Sequence, residues 1–282
     1  MKHFSHILTL LVLTLIPTVA YSQTMTQNKF ASNNQTINYW LYTPANPTQE
    51  SPILVYLHGG SGKGDDLNIL LNNGFPKFLH DGDLVNPNAY VIIPQVPSNI
   101  TGWANLSTCV RDLVISVTDS YHLNKTKISI TGHSMGGTGV WSIALRFPKL
   151  FTKIAPLSGS IKLTDENLAT LSQSDIWAVV GSEDKIVDPQ SSIDFIEALN
   201  KSGNNSRVSV IDGYTHFDVP NVYLDDNFGL TKWLLEYDAS GINDIIIDAT
   251  GTDEKYYDLH GRVINNPQHG IYIYKRKKVL IP

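Results

Sequence analysis

The chain has 282 residues, 42% of them hydrophobic and 17% charged, which is ordinary globular stock and enough for one α/β core. Its formal net charge of −5 supplies no basic field for nucleic acid. A single cysteine, Cys109, excludes an intrachain disulfide, and with no C-x-x-C and no H-E-x-x-H spacing nothing argues for a metal or another cofactor.

In chain order, Lys2, an apolar stretch from Ile7 to Val19 and small residues around Ala20-Tyr21-Ser22 read as a signal peptide over 1–22, cleaved before Gln23. The stretch is short for a stable membrane span, and no cysteine follows it to carry a lipid anchor. The expected location is therefore extracytoplasmic (periplasm, cell surface or secreted), with no integral membrane span after processing. The mature chain is expected to open with a mixed strand, Thr36–Tyr42, ended by Thr43-Pro44. Strands near 53–57, 89–93, 127–131, 153–157, 176–180 and 207–211 then alternate with helices near 105–120, 135–146, 190–201 and 227–237. That alternation predicts an α/β fold, a mostly parallel sheet with helices on both faces. Cys109 shares a helix face with Leu106, Val110, Leu113 and Val114, as a buried structural thiol would.

The strand at 53–57 runs into His58-Gly59-Gly60-Ser61-Gly62. Such a loop can cradle phosphate or donate to an oxyanion. The phosphate reading fails because Gly64 stands where G-x-x-x-x-G-K-[ST] needs a hydroxyl after lysine. As an H-G-G loop it offers the backbone N–H of Gly60 (or Ser61), to be matched by that of Met135. Asp65 and Asp66 are expected to cap a following turn rather than bind metal. Trp103, ahead of the helix near 105, is a candidate pocket wall for substrate, with a core anchor as its alternative.

Gly132-His133-Ser134-Met135-Gly136-Gly137 lies between the strand at 127–131 and the helix from 135, so the G-x-S-x-G sits in the strand–turn–helix context of a nucleophile elbow. A serine hydroxyl needs a base beside it, and the order Ser…Asp…His supplies one at two later strand ends. Glu183, Asp184 and Asp188 follow the strand at 176–180; Asp188 precedes Pro189 and a helix, as an N-cap does, and Asp184 is preferred over Glu183 as the acid. His216 follows the strand at 207–211 and is the candidate base, while His58 and His133 are expected to support turns.

The stretches 57–66, 92–97 with Trp103, and 130–141, continued by Arg146-Phe147-Pro148 and Pro156-Leu157-Ser158-Gly159, resemble the α/β-hydrolase esterases often called predicted peptidases, relatives of feruloyl, acetylxylan and polyhydroxybutyrate esterases. The resemblance runs to about residue 237 and implies hydrolysis of carboxylic esters by a serine enzyme, with acetyl or feruloyl esters of plant polysaccharide as the expected substrate class. Its rivals are a small serine peptidase of the prolyl-oligopeptidase kind and a catalytically silent carbohydrate-binding surface protein.

Past Tyr237 the character changes. Asp238-Ala239-Ser240-Gly241 reads as a linker, and short alternating strands follow near 245–247, 255–259, 270–274 and 277–281. Residues 257–263 with Asn266-Pro267 and Gly270–Ile273 resemble the C-terminal sorting domains of the Por (type IX) secretion route, which implies secretion machinery as a partner. Lys275-Arg276-Lys277-Lys278 departs from that pattern, and the alternative is a small β tail beside the hydrolase. The expected division is thus 1–22 signal peptide, 23–237 catalytic domain and 238–282 linker with a sorting-like module.

Overall fold

The computed structural model describes residues 23–84 and 87–237, and near the end of the chain the strand segments 256–257, 263–264, 270–274 and 277–281. The expected signal peptide and linker lie outside the described residues. The chain divides into two compact units, one ending at Tyr237 and one from Asp238 onward.

In the first unit, β1 (Thr24–Ser32) and β2 (Gln35–Thr43) form a hairpin turned at Asn33 and Asn34, both at positive φ. Then come β3 (Ile53–Leu57), α1 (Gly74–Asp81), β4 (Tyr90–Pro94), α2 (Trp103–Ser120), β5 (Ile128–His133), α3 (Met135–Arg146), β6 (Lys153–Leu157) and α4 (Asp165–Leu171). β7 (Asp175–Gly181), α5 (Gln190–Lys201), β8 (Arg207–Ile211) and α6 (Leu230–Leu235) complete it. The sheet order is β1-β2-β4-β3-β5-β6-β7-β8, with β1, β2 and β4 paired antiparallel and every later pairing parallel.

The central strands are buried end to end, as a sheet covered on both faces requires. Alternate residues feed two cores. Ile53, Val55 and Leu57 join Ile130 and Ile154 against Val110, Val140 and Phe195 of α2, α3 and α5. Leu54, Tyr56 and Val179 face the other way, onto Phe75 of α1 and Leu230 and Leu234 of α6. Free Cys109 is buried in the first core.

The expectation that the mature chain opens at Thr36 is corrected: β1 precedes it as the edge strand. Its sequence, Thr-Met-Thr-Gln-Asn-Lys-Phe-Ala-Ser, is polar because none of its side chains is fully buried. In the second unit, β9 (Tyr256–Tyr257), β10 (Val263–Ile264), β11 (Gly270–Tyr274) and β12 (Lys277–Ile281) form an antiparallel sheet of order β10-β9-β11-β12.

Candidate active site

The carboxyl ends of β3, β5, β7 and β8 all deliver loops to one edge of the sheet. Ser134 sits between β5 and α3 with φ 61 and ψ −120, a conformation L-residues avoid and one that persists only where the surroundings impose it. The imposing contact is backbone on backbone: a Cβ on Gly136 would lie 1.9 Å from the Leu57 carbonyl oxygen, and one on Gly132 2.5 Å from the same atom. α3 therefore starts against the end of β3, which brings the glycine loop to the serine. The Cβ position of Gly59 is 3.5 Å from the Ser134 Cβ.

The three motif residues meet. Ser134 Oγ lies 2.8 Å from His216 Nε2, and His216 Nδ1 lies 2.8 Å from Asp184 Oδ2. With the carboxylate accepting from Nδ1–H, Nε2 is left to accept from the serine hydroxyl. The Asp184 and His216 side chains are 0% and 5% exposed, so this chain of bonds is dry at its base. Burial pushes the Asp184 carboxyl up; the N–H of Val187, His216, the N–H of Ile186 and the Ser158 hydroxyl together outweigh it and hold the group below its usual range. Oδ1 receives the Ile186 and Val187 amides at 3.0 and 2.9 Å.

The competing carboxylates are elsewhere. Glu183 is exposed, and Asp188 accepts from the Gln190 N–H at 3.0 Å at the start of α5, as a helix cap. Asp66 likewise accepts from the Asn68 N–H to cap a short 3-10 turn, and Asp65 accepts from the Ser98 hydroxyl at 2.6 Å. Gly60 opens the 3-10 turn Gly60–Gly62 and Met135 opens α3, so the N–H of each stands at a helix start with no intrahelical acceptor.

His133 and His58 are braces. His133 Nε2 donates to the His216 carbonyl at 2.8 Å, and burial, then the neighbouring His216, push its imidazole down to about 4. His58 Nδ1 donates to the Gly59 carbonyl at 2.6 Å while its Nε2 accepts from the Val96 N–H at 3.0 Å; burial holds it at about 4. Trp103, expected as a pocket wall or a core anchor, is buried. It is 2% exposed and its indole N–H donates to the His58 carbonyl at 3.1 Å, with its side chain filling the space above Gly139. Its burial, its bonded indole N–H and its packing on Gly139 favour the core-anchor alternative for Trp103.

Three neighbours of the site escaped the sequence reading. Ser158, at the end of β6, is buried at positive φ (44°) beside Asp184. Phe217 is 75% exposed with its ring 5.5 Å from that of His216, and Ile186 is 60% exposed two residues past Asp184. Only their position next to the acid and base marks them, and sequence alone does not show exposure.

A family model described as "Putative esterase" matches residues 103–233. No curated protein matches the chain. Among solved structures, a thermostable esterase aligns with a TM-score of 0.64 and 24% identity, over 74% of this chain and 62% of its own. The feruloyl esterase module from Clostridium thermocellum, solved with sinapinate, gives 0.56 and 18%, over 72% and 86%. An acylaminoacyl peptidase from Pyrococcus horikoshii gives 0.55 and 12%, over 72% and 39%. The chain thus spans 62% of the length of the thermostable esterase. The fold is that of the α/β hydrolases. Because that fold hosts both ester and peptide hydrolysis, chemistry must be argued from the site and the family model. The family model that matches is described as one of esterases, and the solved neighbours, at these identities, speak for the fold alone. Among the described residues no helix is long and apolar enough to cross a membrane, and no cluster of His, Cys, Asp and Glu could hold a metal ion.

Proposed function

We propose that this protein is a carboxylic-ester hydrolase, a serine enzyme that works through an acyl-enzyme, with Ser134 as nucleophile, His216 as base and Asp184 as its orienting acid. The observation that carries the reading is the continuous Ser134–His216–Asp184 hydrogen-bond chain, at 2.8 Å for each link. Ser134 Oγ attacks the ester carbonyl as its proton passes to His216 Nε2. The developing oxyanion accepts from the N–H groups of Gly60 and Met135. Collapse of the tetrahedral species breaks the C–O bond of the ester, and His216 returns the proton to the departing alcohol. A water then gives its proton to His216, adds to the acyl-enzyme and releases the acid, and Ser134 Oγ recovers the proton.

The substrate in this reading is an acetyl or feruloyl ester of plant polysaccharide. The feruloyl esterase neighbour supports that class, and the exposed Phe217 and Ile186 beside the base and acid favour an aromatic acyl group over acetyl. Residues 1–22 act as an export signal, 23–237 as the catalytic domain, and 238–282 as a module presented to secretion machinery. The enzyme then works outside the cytoplasm.

Turnover on p-nitrophenyl acetate, methyl ferulate and a proline-containing amide tests this. Hydrolysis of the two esters, methyl ferulate with the higher kcat/KM, and not of the amide is expected. Cleavage of the amide alone assigns the chain to the peptidases, and binding of xylan without any turnover marks a silent carbohydrate-binding protein.

A further inference from the structure

We propose that Gln95 is a positioning residue for the oxyanion loop, holding residues 59–66 where the Gly60 N–H meets the developing charge. The inference rests on the reading of Gly60 as an oxyanion donor.

The loop His58-Gly59-Gly60-Ser61-Gly62-Lys63-Gly64 is mostly glycine, the residue with the greatest backbone freedom, so little in its own sequence keeps it in one shape. The restraint comes from the end of β4. Gln95 is 1% exposed, and its backbone N–H is tied to the Asn38 carbonyl at 2.9 Å. Its side-chain amide donates one N–H to the Gly62 carbonyl at 3.0 Å and the other to the Asp66 carbonyl at 2.8 Å. Those two acceptors fix the orientation of the amide, since the flipped form would set Oε1 against two carbonyl oxygens. Oε1 accepts no hydrogen bond from the described residues.

Val96 continues the clamp. Its N–H donates to His58 Nε2 at 3.0 Å, and its carbonyl accepts from the Gly64 N–H at 2.9 Å. Gln95 and Val96 therefore hold the loop at His58, Gly62, Gly64 and Asp66, on both sides of Gly60. Packing does not substitute for these bonds at the loop's far end. Gly64 and Asp65 border a cavity of about 290 Å³ that Lys29, Asn38 and Gln95 also line. At Gly62, by contrast, the His58 ring and Leu70 leave no room even for a Cβ.

An oxyanion donor contributes to the transition state and little to ground-state binding, so a loosened loop should lower kcat and spare KM. The test is Gln95→Met in the full-length protein, which keeps length and volume while removing both donors and the unpaired oxygen. Expected are a kcat on p-nitrophenyl acetate about ten- to a hundredfold lower with KM within about twofold. Faster amide hydrogen exchange is expected in residues 59–66 and not in the β5–α3 elbow. A kcat within about twofold of the unmodified protein overturns the proposal, as does exchange that is unchanged in the loop or raised evenly through the chain. If the unmodified protein shows no Ser134-dependent turnover, the ester-hydrolase reading falls and this inference with it, a result distinct from the other two.

Discussion

Asp184 stays charged in a dry setting because amides at Ile186 and Val187 occupy one oxygen and His216 the other. Replacing it by Asn preserves shape while forcing the wrong tautomer on His216. Asp184→Asn should therefore lower kcat on p-nitrophenyl acetate by roughly 10⁴-fold with the fold intact. Asp188 bonds only its own helix start, so Asp188→Ala should cost about 1 kcal/mol in a denaturant titration and leave kcat unchanged. Equal losses of activity from the two variants would mean the acid is misassigned. That Ser134, Asp184 and His216 come together was legible because motif and order place each just past a strand, where loops of a parallel sheet converge. Trp103 was not, since a tryptophan before a helix can face a pocket or a core, and only the His58 carbonyl and Gly139 decide between them. Gln95 stands in a stretch, Ile-Ile-Pro-Gln, whose resemblance is visible while its two donated bonds are not.

Between elements, the elbow depends on α3 touching β3 without side chains in the gap. A methyl at Gly136 meets the Leu57 carbonyl, a backbone atom that cannot yield cheaply. Gly136→Ala should destabilise by about 3 kcal/mol or more. For a unit of this size that lowers Tm by roughly 6–12 °C, read by calorimetry, and activity should fall even in the folded fraction. A variant with unchanged Tm would show that the crossing can open. The parallel strands and three of the four expected helices were readable at nearly their observed bounds because continuous apolar runs and helical periodicity leave few choices: α3 and α5 begin and end where the pattern does, whereas the helix expected over 227–237 is confined to Leu230–Leu235. β1 escaped because an edge strand with mostly exposed side chains carries no such signal. The short helices α1 and α4 escaped for a related reason, since seven or eight residues hold too few turns for a period to show.

For the molecule as a whole, two neutral histidines buried beside the site tie its stability to pH. His58 and His133 titrate at about 4 when folded, against about 6.5 for an ordinary histidine. Between those values the unfolded chain binds more protons, so stability contributed by these groups is full above about pH 6.5 and is lost as pH falls toward 4. In that window each histidine contributes up to about 1.4 kcal/mol of lost stability per pH unit. The urea midpoint should fall steadily from pH 6.5 to 4.5, and His133→Gln should flatten the fall; a midpoint independent of pH there would mean that one or both rings are charged in the native state. The central claim, however, is about one hydroxyl. Labelling of the full-length protein with a fluorophosphonate, followed by peptide mass analysis, should place the phosphonyl group on Ser134, with no labelling after Ser134→Ala. Labelling that persists in that variant, or its absence from the unmodified protein, would contradict the account.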